Sequence, residues 1–232
     1  MTPIALVQAL VACYTEHQDG ERAIAMAAYM KNRFPFYGIP MPQRKQLNKV
    51  LLPERKAAII EAWLLETVQL LWQENERECQ YAGLDLLERF SSVLTMQAIA
   101  SLEALILQKS WWDTVDLLAT KSIGELVLQF PELRSTMDGY SQHPNLWLRR
   151  TAILHQLKYK QKTDAERLFH YCIENAESKE FFIQKAIGWA LREYAKTDST
   201  AVVAFVNHHQ KRLANLSQRE ALKHLPNSEN LS

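Results

Sequence analysis

Lys109-Ser110-Trp111-Trp112-Asp113-Thr114-Val115-Asp116 puts two adjacent tryptophans and two acids into little more than one helical turn. If the stretch is helical, Trp112 and Asp116 are i,i+4 neighbours on one face, and Trp111 with Val115 forms a second pair rotated by one residue. One tryptophan then serves the core while the other stands beside a carboxylate in a groove. An indole face next to an anion suits a ligand that is planar and cationic. The same turn has a plainer reading, in which both tryptophans pack and Asp113 joins a surface ion pair, so the rest of the chain has to decide.

The surrounding composition points to helices. Of 232 residues 47% are hydrophobic, enough for a sizeable core, and only 6 Gly and 8 Pro occur, mostly between helical patterns. That combination implies long helices and short loops, an all-α chain. Cys13, Cys79 and Cys172 are far apart and odd in number, which argues against a disulfide framework or a zinc site and fits a reducing cytoplasm. The apolar run 4–13 has no basic residue before it, so it reads as a helix capped by Thr2 with Pro3 at its first position rather than as a signal peptide. No segment approaches the roughly 18 uncharged apolar residues of a membrane span. The net charge of +1 hides a local imbalance: between Glu21 and Glu54, Arg22, Lys31, Arg33, Arg44, Lys45 and Lys49 occur with no acid, a patch on which a polyanion can dock.

Helical periodicity predicts elements at 21–34, with Ile24, Ala27, Ala28 and Met30 on its apolar side, and at 43–52, 54–72, 77–90, 96–109, 111–118, 123–130, 132–141, 146–159, 164–174, 181–194, 198–209 and 217–225. The proline- and aromatic-rich loop 35–42 reads either as a nucleic-acid contact or as a rigid turn. Three helices share an Ala-x-x-x-x-Leu frame, Ala82 with Leu87, Ala152 with Leu157 and Ala186 with Leu191, at separations of 70 and 34 residues. A period near 35 with one helix pair per unit predicts a curved α-α superhelix, a solenoid spanning residues 1–226 as one domain with a frayed tail at 227–232. Stepping 35 residues on from Ala82 lands at Leu117, so the tryptophan helix occupies a repeat position. Equivalent helices then present Trp112, Asp116, Arg149, Arg150, Lys185, Trp189 and Arg192 to one groove.

These residues resemble a known family. Trp111-Trp112-Asp113-Thr114-Val115-Asp116, Leu146-Trp147-Leu148-Arg149-Arg150-Thr151-Ala152 and the segment 183–193 around Trp189 are similar to three motif helices of the AlkD-like DNA glycosylases, and the segment 28–39 resembles that family's N-terminal motif. The resemblance implies HEAT-like helix pairs that hold duplex DNA and remove alkylated purines such as 3-methyladenine and 7-methylguanine. It implies that Asp116 is the catalytic aspartate, that Trp112 and Trp189 are aromatic groove walls against the lesion, and that Arg150 holds the DNA backbone beside it. Tyr29 corresponds to an N-terminal motif residue near the groove. Arg149, Lys185, Arg192, Lys31, Arg33, Arg44, Lys45 and Lys49 are the further expected backbone contacts. No cofactor and no metal is expected, the partner is double-stranded DNA containing alkylated bases, and the protein is expected to be a cytoplasmic monomer.

The chemistry agrees on its own terms. Alkylation at N3 or N7 makes the purine cationic and weakens its glycosidic bond, so the general acid of ordinary glycosidases is dispensable. One carboxylate then suffices to stabilise the oxocarbenium-like sugar and orient water. A rival of a different class is a non-catalytic solenoid that binds bent or branched DNA, or a protein, through the same face, because a fold does not establish an activity.

Overall fold

In a computed structural model of the protein, residues 1–52 and 59–223 are described; the start of the helix expected at 54–72, the end of that expected at 217–225 and the tail 227–232 lie outside the described residues. Every regular element among the described residues is helical. They fall into two compact units, Met1–Lys109 and Ser110–Ser232.

The first unit begins with α1 (Pro3–Glu16), where Thr2 accepts the Ala5 N–H at 3.3 Å and proline stands in the first turn, in line with the sequence. Leu6, Val7, Leu10 and Tyr14 recur at helical spacing and are buried, against α3 (Met41–Leu51) and α4 (Glu61–Gln73). Each such leucine contributes roughly 1.5–3 kcal/mol by leaving water. Helix α4 also packs on α5 (Arg77–Arg89) and α6 (Ala98–Leu107), and its buried Trp72 donates to the Leu105 carbonyl at 3.1 Å.

Helix α2 (Gly20–Tyr29) is shorter than expected and buries none of its residues; Ile24, assigned from periodicity to an apolar side, is 73% exposed. The helix stops because Lys31 and Asn32 adopt left-handed backbone, at φ 59° and 53°. The following loop is held rigidly by a buried carboxylate. The buried Glu78 carboxylate accepts the N–H groups of Tyr37, Gly38 and Ile39 at 3.1, 2.9 and 3.0 Å, and Phe36, Tyr37 and Ile39 are buried with it. Gly38 is required here: its φ is 86°, and a β-carbon would stand 2.1 Å from the Asp19 carbonyl oxygen.

The second unit holds α7 (Trp112–Leu117), α8 (Gly124–Gln129), α9 (Arg134–Ser141), α10 (Leu146–Leu154), α11 (Ala165–Glu174), α12 (Phe181–Tyr194), α13 (Ser199–His208) and α14 (Asn215–Ala221). The sequence suggested a break between 118 and 123, but a π-helical segment, Leu118–Ile123, joins α7 to α8. Its Ala119, Thr120 and Ser122 are buried, and no proline or glycine interrupts the backbone ladder. Helix α10 ends at Leu154, short of the expected 159, because the chain after it turns to deliver Tyr159 to the Gly124 carbonyl. Helix α10 packs against α7, α9, α11 and α12, and α12 packs most extensively against α14.

The period read from the sequence reappears as a step between bonded residues inside each unit. Tyr14 bonds Asn48, Thr95 bonds Glu61, Arg150 bonds Asp116 and Asn175 bonds Ser141, each pair 34 residues apart, while Ser217 and Gln184 are 33 apart. These bonds tie α1 to α3, α4 to the chain before α6, α7 to α10, α9 to the end of α11 and α12 to α14 at close to the repeat step.

Candidate functional site

Trp111 is in extended backbone and caps α7, so the first turn of that helix carries Trp112 and Asp113 and the second carries Asp116. The two tryptophans divide as the spacing implies. Trp111 is 9% exposed and packs edge-on against Trp147 and Phe182, with ring centroids 5.8 and 4.9 Å away. Trp112 instead lines a recess of about 380 Å³ together with Asp116, Arg150, Phe181, Phe182, Lys185, Trp189, Arg192 and Glu220. The repeat step therefore brings Trp112, Asp116, Arg150, Lys185, Trp189 and Arg192 to one place. A volume of this size, with apolar walls and a few convergent charges, suits a small planar ligand or the edge of a larger one.

Asp116 and Arg150 form the charged foot of the recess. Arg150 Nε and Nη2 donate to the two carboxylate oxygens at 2.7 and 2.8 Å, a fork that fixes the plane of the carboxylate. Arg150 Nη1 donates to the Phe182 carbonyl. The Arg150 side chain is only 5% exposed and that of Asp116 14% exposed. Burial pushes the Asp116 carboxyl above the ordinary aspartate range; the bond and charge of Arg150 pull it back, and the charge of Asp113 adds to the rise. Two of the five Arg150 N–H groups go to Asp116 and one to the Phe182 carbonyl, so the guanidinium positions the carboxylate. Each Asp116 oxygen keeps a second lone pair for a ligand or a water.

The opposite wall comes from α12, whose residues 185, 189 and 192 share one face by helical spacing. Lys185 and Arg192 both bond Glu220 of α14, at 3.0 and 2.7 Å. Those bonds, with that from Lys185 foremost, hold the Glu220 carboxyl below the usual carboxylate range. Gly188 permits the arrangement: a β-carbon there would come within 2.5 Å of Glu220 Cβ and 3.0 Å of the Ser217 carbonyl oxygen. The sequence reading missed Glu220, Phe181 and Phe182. Only the glycine in the middle of an otherwise strong helical pattern signalled that another helix approaches at this point.

Several expected contacts lie elsewhere. Arg149 turns away from the recess and donates to the His143 and Pro144 carbonyls, both at 2.9 Å, because a one-residue step from Arg150 rotates it by about 100° around α10. Tyr29, Lys31, Arg33, Lys45 and Lys49 belong to the first unit and are exposed. Arg44 is a correction: it is 5% exposed, paired with Asp85 and set over the Tyr81 ring at 5.3 Å, not part of a solvated basic patch. Asp113 is buried at the start of α7, where its charge favours the helix N-terminus. No group of three or more metal-ligating side chains is gathered among the described residues, and none of their helices is long and apolar enough to cross a membrane.

Comparison with known proteins gives two findings. The family of DNA alkylation repair enzymes matches residues 11–225. A solved structure described as a predicted DNA alkylation repair enzyme from Enterococcus faecalis is 35% identical in sequence, covers 91% of this chain and 98% of its own, and superposes with a TM-score of 0.84. No curated protein matches.

Proposed function

The chain belongs to the DNA alkylation repair enzymes, and on that premise we propose that it is a monofunctional glycosylase that hydrolyses the N-glycosidic bond of cationic alkylated purines, 3-methyladenine and 7-methylguanine, in duplex DNA. The observation that carries the proposal is the Asp116 carboxylate, fixed by the Arg150 fork at the foot of a recess walled by Trp112 and Trp189. The alkylated purine enters with its positive charge already in place. As the C1′–N bond breaks, its electron pair stays with the base, which leaves neutral, and the positive charge moves to the sugar. A carboxylate in a partly dehydrated site opposes that developing charge without reorganising. Water, oriented by the Asp116 lone pairs that Arg150 leaves open, then adds to the sugar through its oxygen and gives up a proton to the carboxylate, which passes it to solvent.

Arg150 acts through Asp116. It sets the plane of the carboxylate, and its bond and charge limit the rise of the carboxyl pKa that burial causes. An indole beside the cationic base contributes about 0.5–2 kcal/mol, and that contribution vanishes for a neutral base. Lys185 and Arg192 supply positive charge for the flanking backbone, and the exposed Lys31, Arg33, Lys45 and Lys49 add salt-dependent affinity from the first unit.

The test is incubation with a duplex carrying a single 7-methylguanine, followed by alkaline cleavage at any abasic site. Strand scission at the lesion and none in an unmodified duplex is the expected result. Tight binding with no scission would instead favour a non-catalytic DNA-binding protein.

A further inference from the structure

Lys185, Trp189 and Arg192 occupy one face of α12, so the two cations bracket the indole along the helix. A site that grips phosphate with both cations would place two positive charges on either side of the surface meant for a cationic base. Glu220 stands between them. One of its oxygens takes Lys185 at 3.0 Å and the other takes Arg192 at 2.7 Å, and its side chain is 17% exposed against 38% and 27% for its partners.

The position of this carboxylate is built into the packing. Helix α14 comes against α12 at Gly188, with no room for a β-carbon, and Ser217, one turn before Glu220, donates to the Gln184 carbonyl at 2.9 Å. The helix is thus fixed one turn to each side of the glycine. The charges of the recess are three cations, Arg150, Lys185 and Arg192, and two carboxylates, Asp116 and Glu220. Since Asp116 and Arg150 neutralise each other in a closed fork, Glu220 decides whether the Trp189 wall carries one net positive charge or two.

We propose that Glu220 is a specificity-determining residue of the recess: by taking up charge from Lys185 and Arg192 it lets a cationic base lie against Trp189, and it limits the hold of these two cations on undamaged DNA. The proposal rests on the glycosylase reading above for its first half only. The second half concerns binding and stands without any chemistry. Lys185 and Arg192 would then be released toward phosphate when the carboxylate is removed, so loss of Glu220 strengthens nonspecific binding while it weakens the reaction. A residue that merely docks α14 would give weaker binding on removal.

The experiment compares wild type with Glu220→Gln and Glu220→Asp, using an unmodified duplex titrated at several salt concentrations and single-turnover release from a 7-methylguanine duplex. Glu220→Gln is expected to bind the unmodified duplex more tightly, with a salt slope steeper by about 0.9, the signature of one further counterion released. Its release of 7-methylguanine should fall roughly fivefold, the size of one partly exposed charge interaction. Glu220→Asp keeps the charge and should stay near wild type in slope and rate. An unchanged or shallower slope in Glu220→Gln, or loss of both properties in Glu220→Asp with its helical signal intact, would overturn the proposal. If wild type releases no base, the glycosylase reading fails, whereas the salt slope still decides the role of Glu220 in binding.

Discussion

Each unit of the molecule contains a buried arginine paired with an aspartate, and the two pairs differ in what surrounds them. In the first unit Arg44 and the Asn48 amide both donate to Asp85 Oδ2, Asn48 in turn accepts the Tyr14 hydroxyl, and Tyr81 lies under the guanidinium. In the second, Arg150 takes Asp116 in a two-bond fork, and the carboxylate lines a recess together with Trp112 and Trp189. Asp85 is a node in a polar network that ties α1, α3 and α5 together, with its partners supplied by the protein. Asp116 is held by Arg150 from below and opens onto the recess above. A buried ion pair is therefore not itself a site; the aromatic walls and the unused lone pairs make the difference.

That contrast can be broken most sharply at the arginines. Arg150→Ala leaves the Asp116 charge buried without its partner, which should destabilise the second unit by about 3 kcal/mol and, by letting the carboxyl pKa climb further, lower excision by at most the roughly 10²- to 10³-fold expected for loss of the Asp116 charge itself. Thermal unfolding and single-turnover release measure the two effects, and an excision rate near wild type would show that the fork is not needed.

Acid provides a second, smaller handle. Because burial raises the Asp116 pKa, excision should fail on acidification through an apparent pKa above the 3.8 of an ordinary aspartate. The sign for stability is opposite. A group with a raised folded pKa favours the folded state most below its unfolded value, and that contribution is lost as pH rises through the folded value. Acid should thus silence excision through Asp116 before it unfolds the chain, which a pH–rate profile recorded beside helical circular dichroism would reveal. Coincident loss of both signals would contradict it.

The least effect is expected at the exposed cations of the first unit. Lys45→Glu with Lys49→Glu should weaken binding to every duplex alike and flatten the salt slope by about 0.9 for each phosphate that is no longer neutralised. Arg44 is left out of this test because reversing it would strand Asp85 in the interior. A slope equal to wild type would show that Lys45 and Lys49 only solvate α3.

What the sequence disclosed follows the same division. Spacing within a helix is local, so the bounds of α12 and the common face of Lys185, Trp189 and Arg192 were legible, and the repeat register brought Trp112, Asp116 and Arg150 to them from separate helices. Partners outside the register were not legible. Arg44 looked free because the residues around it in sequence contain no acid, yet Asp85 reaches it from 41 residues away. Glu220 sits in a seven-residue polar helix without an apolar stripe, Asn-Leu-Ser-Gln-Arg-Glu-Ala, and nothing local marks it as part of a recess. Ile24 misled in the other direction, since helical spacing identifies a face but not whether anything covers it.

The most direct measurement is single-turnover release of 7-methylguanine by Asp116→Asn alongside Asp85→Asn. Asparagine preserves shape and removes charge, so Asp116→Asn should release the base roughly 10²- to 10³-fold more slowly with duplex affinity equal to or tighter than wild type. Asp85→Asn should lose stability and retain its rate. A wild-type rate from Asp116→Asn would contradict the account.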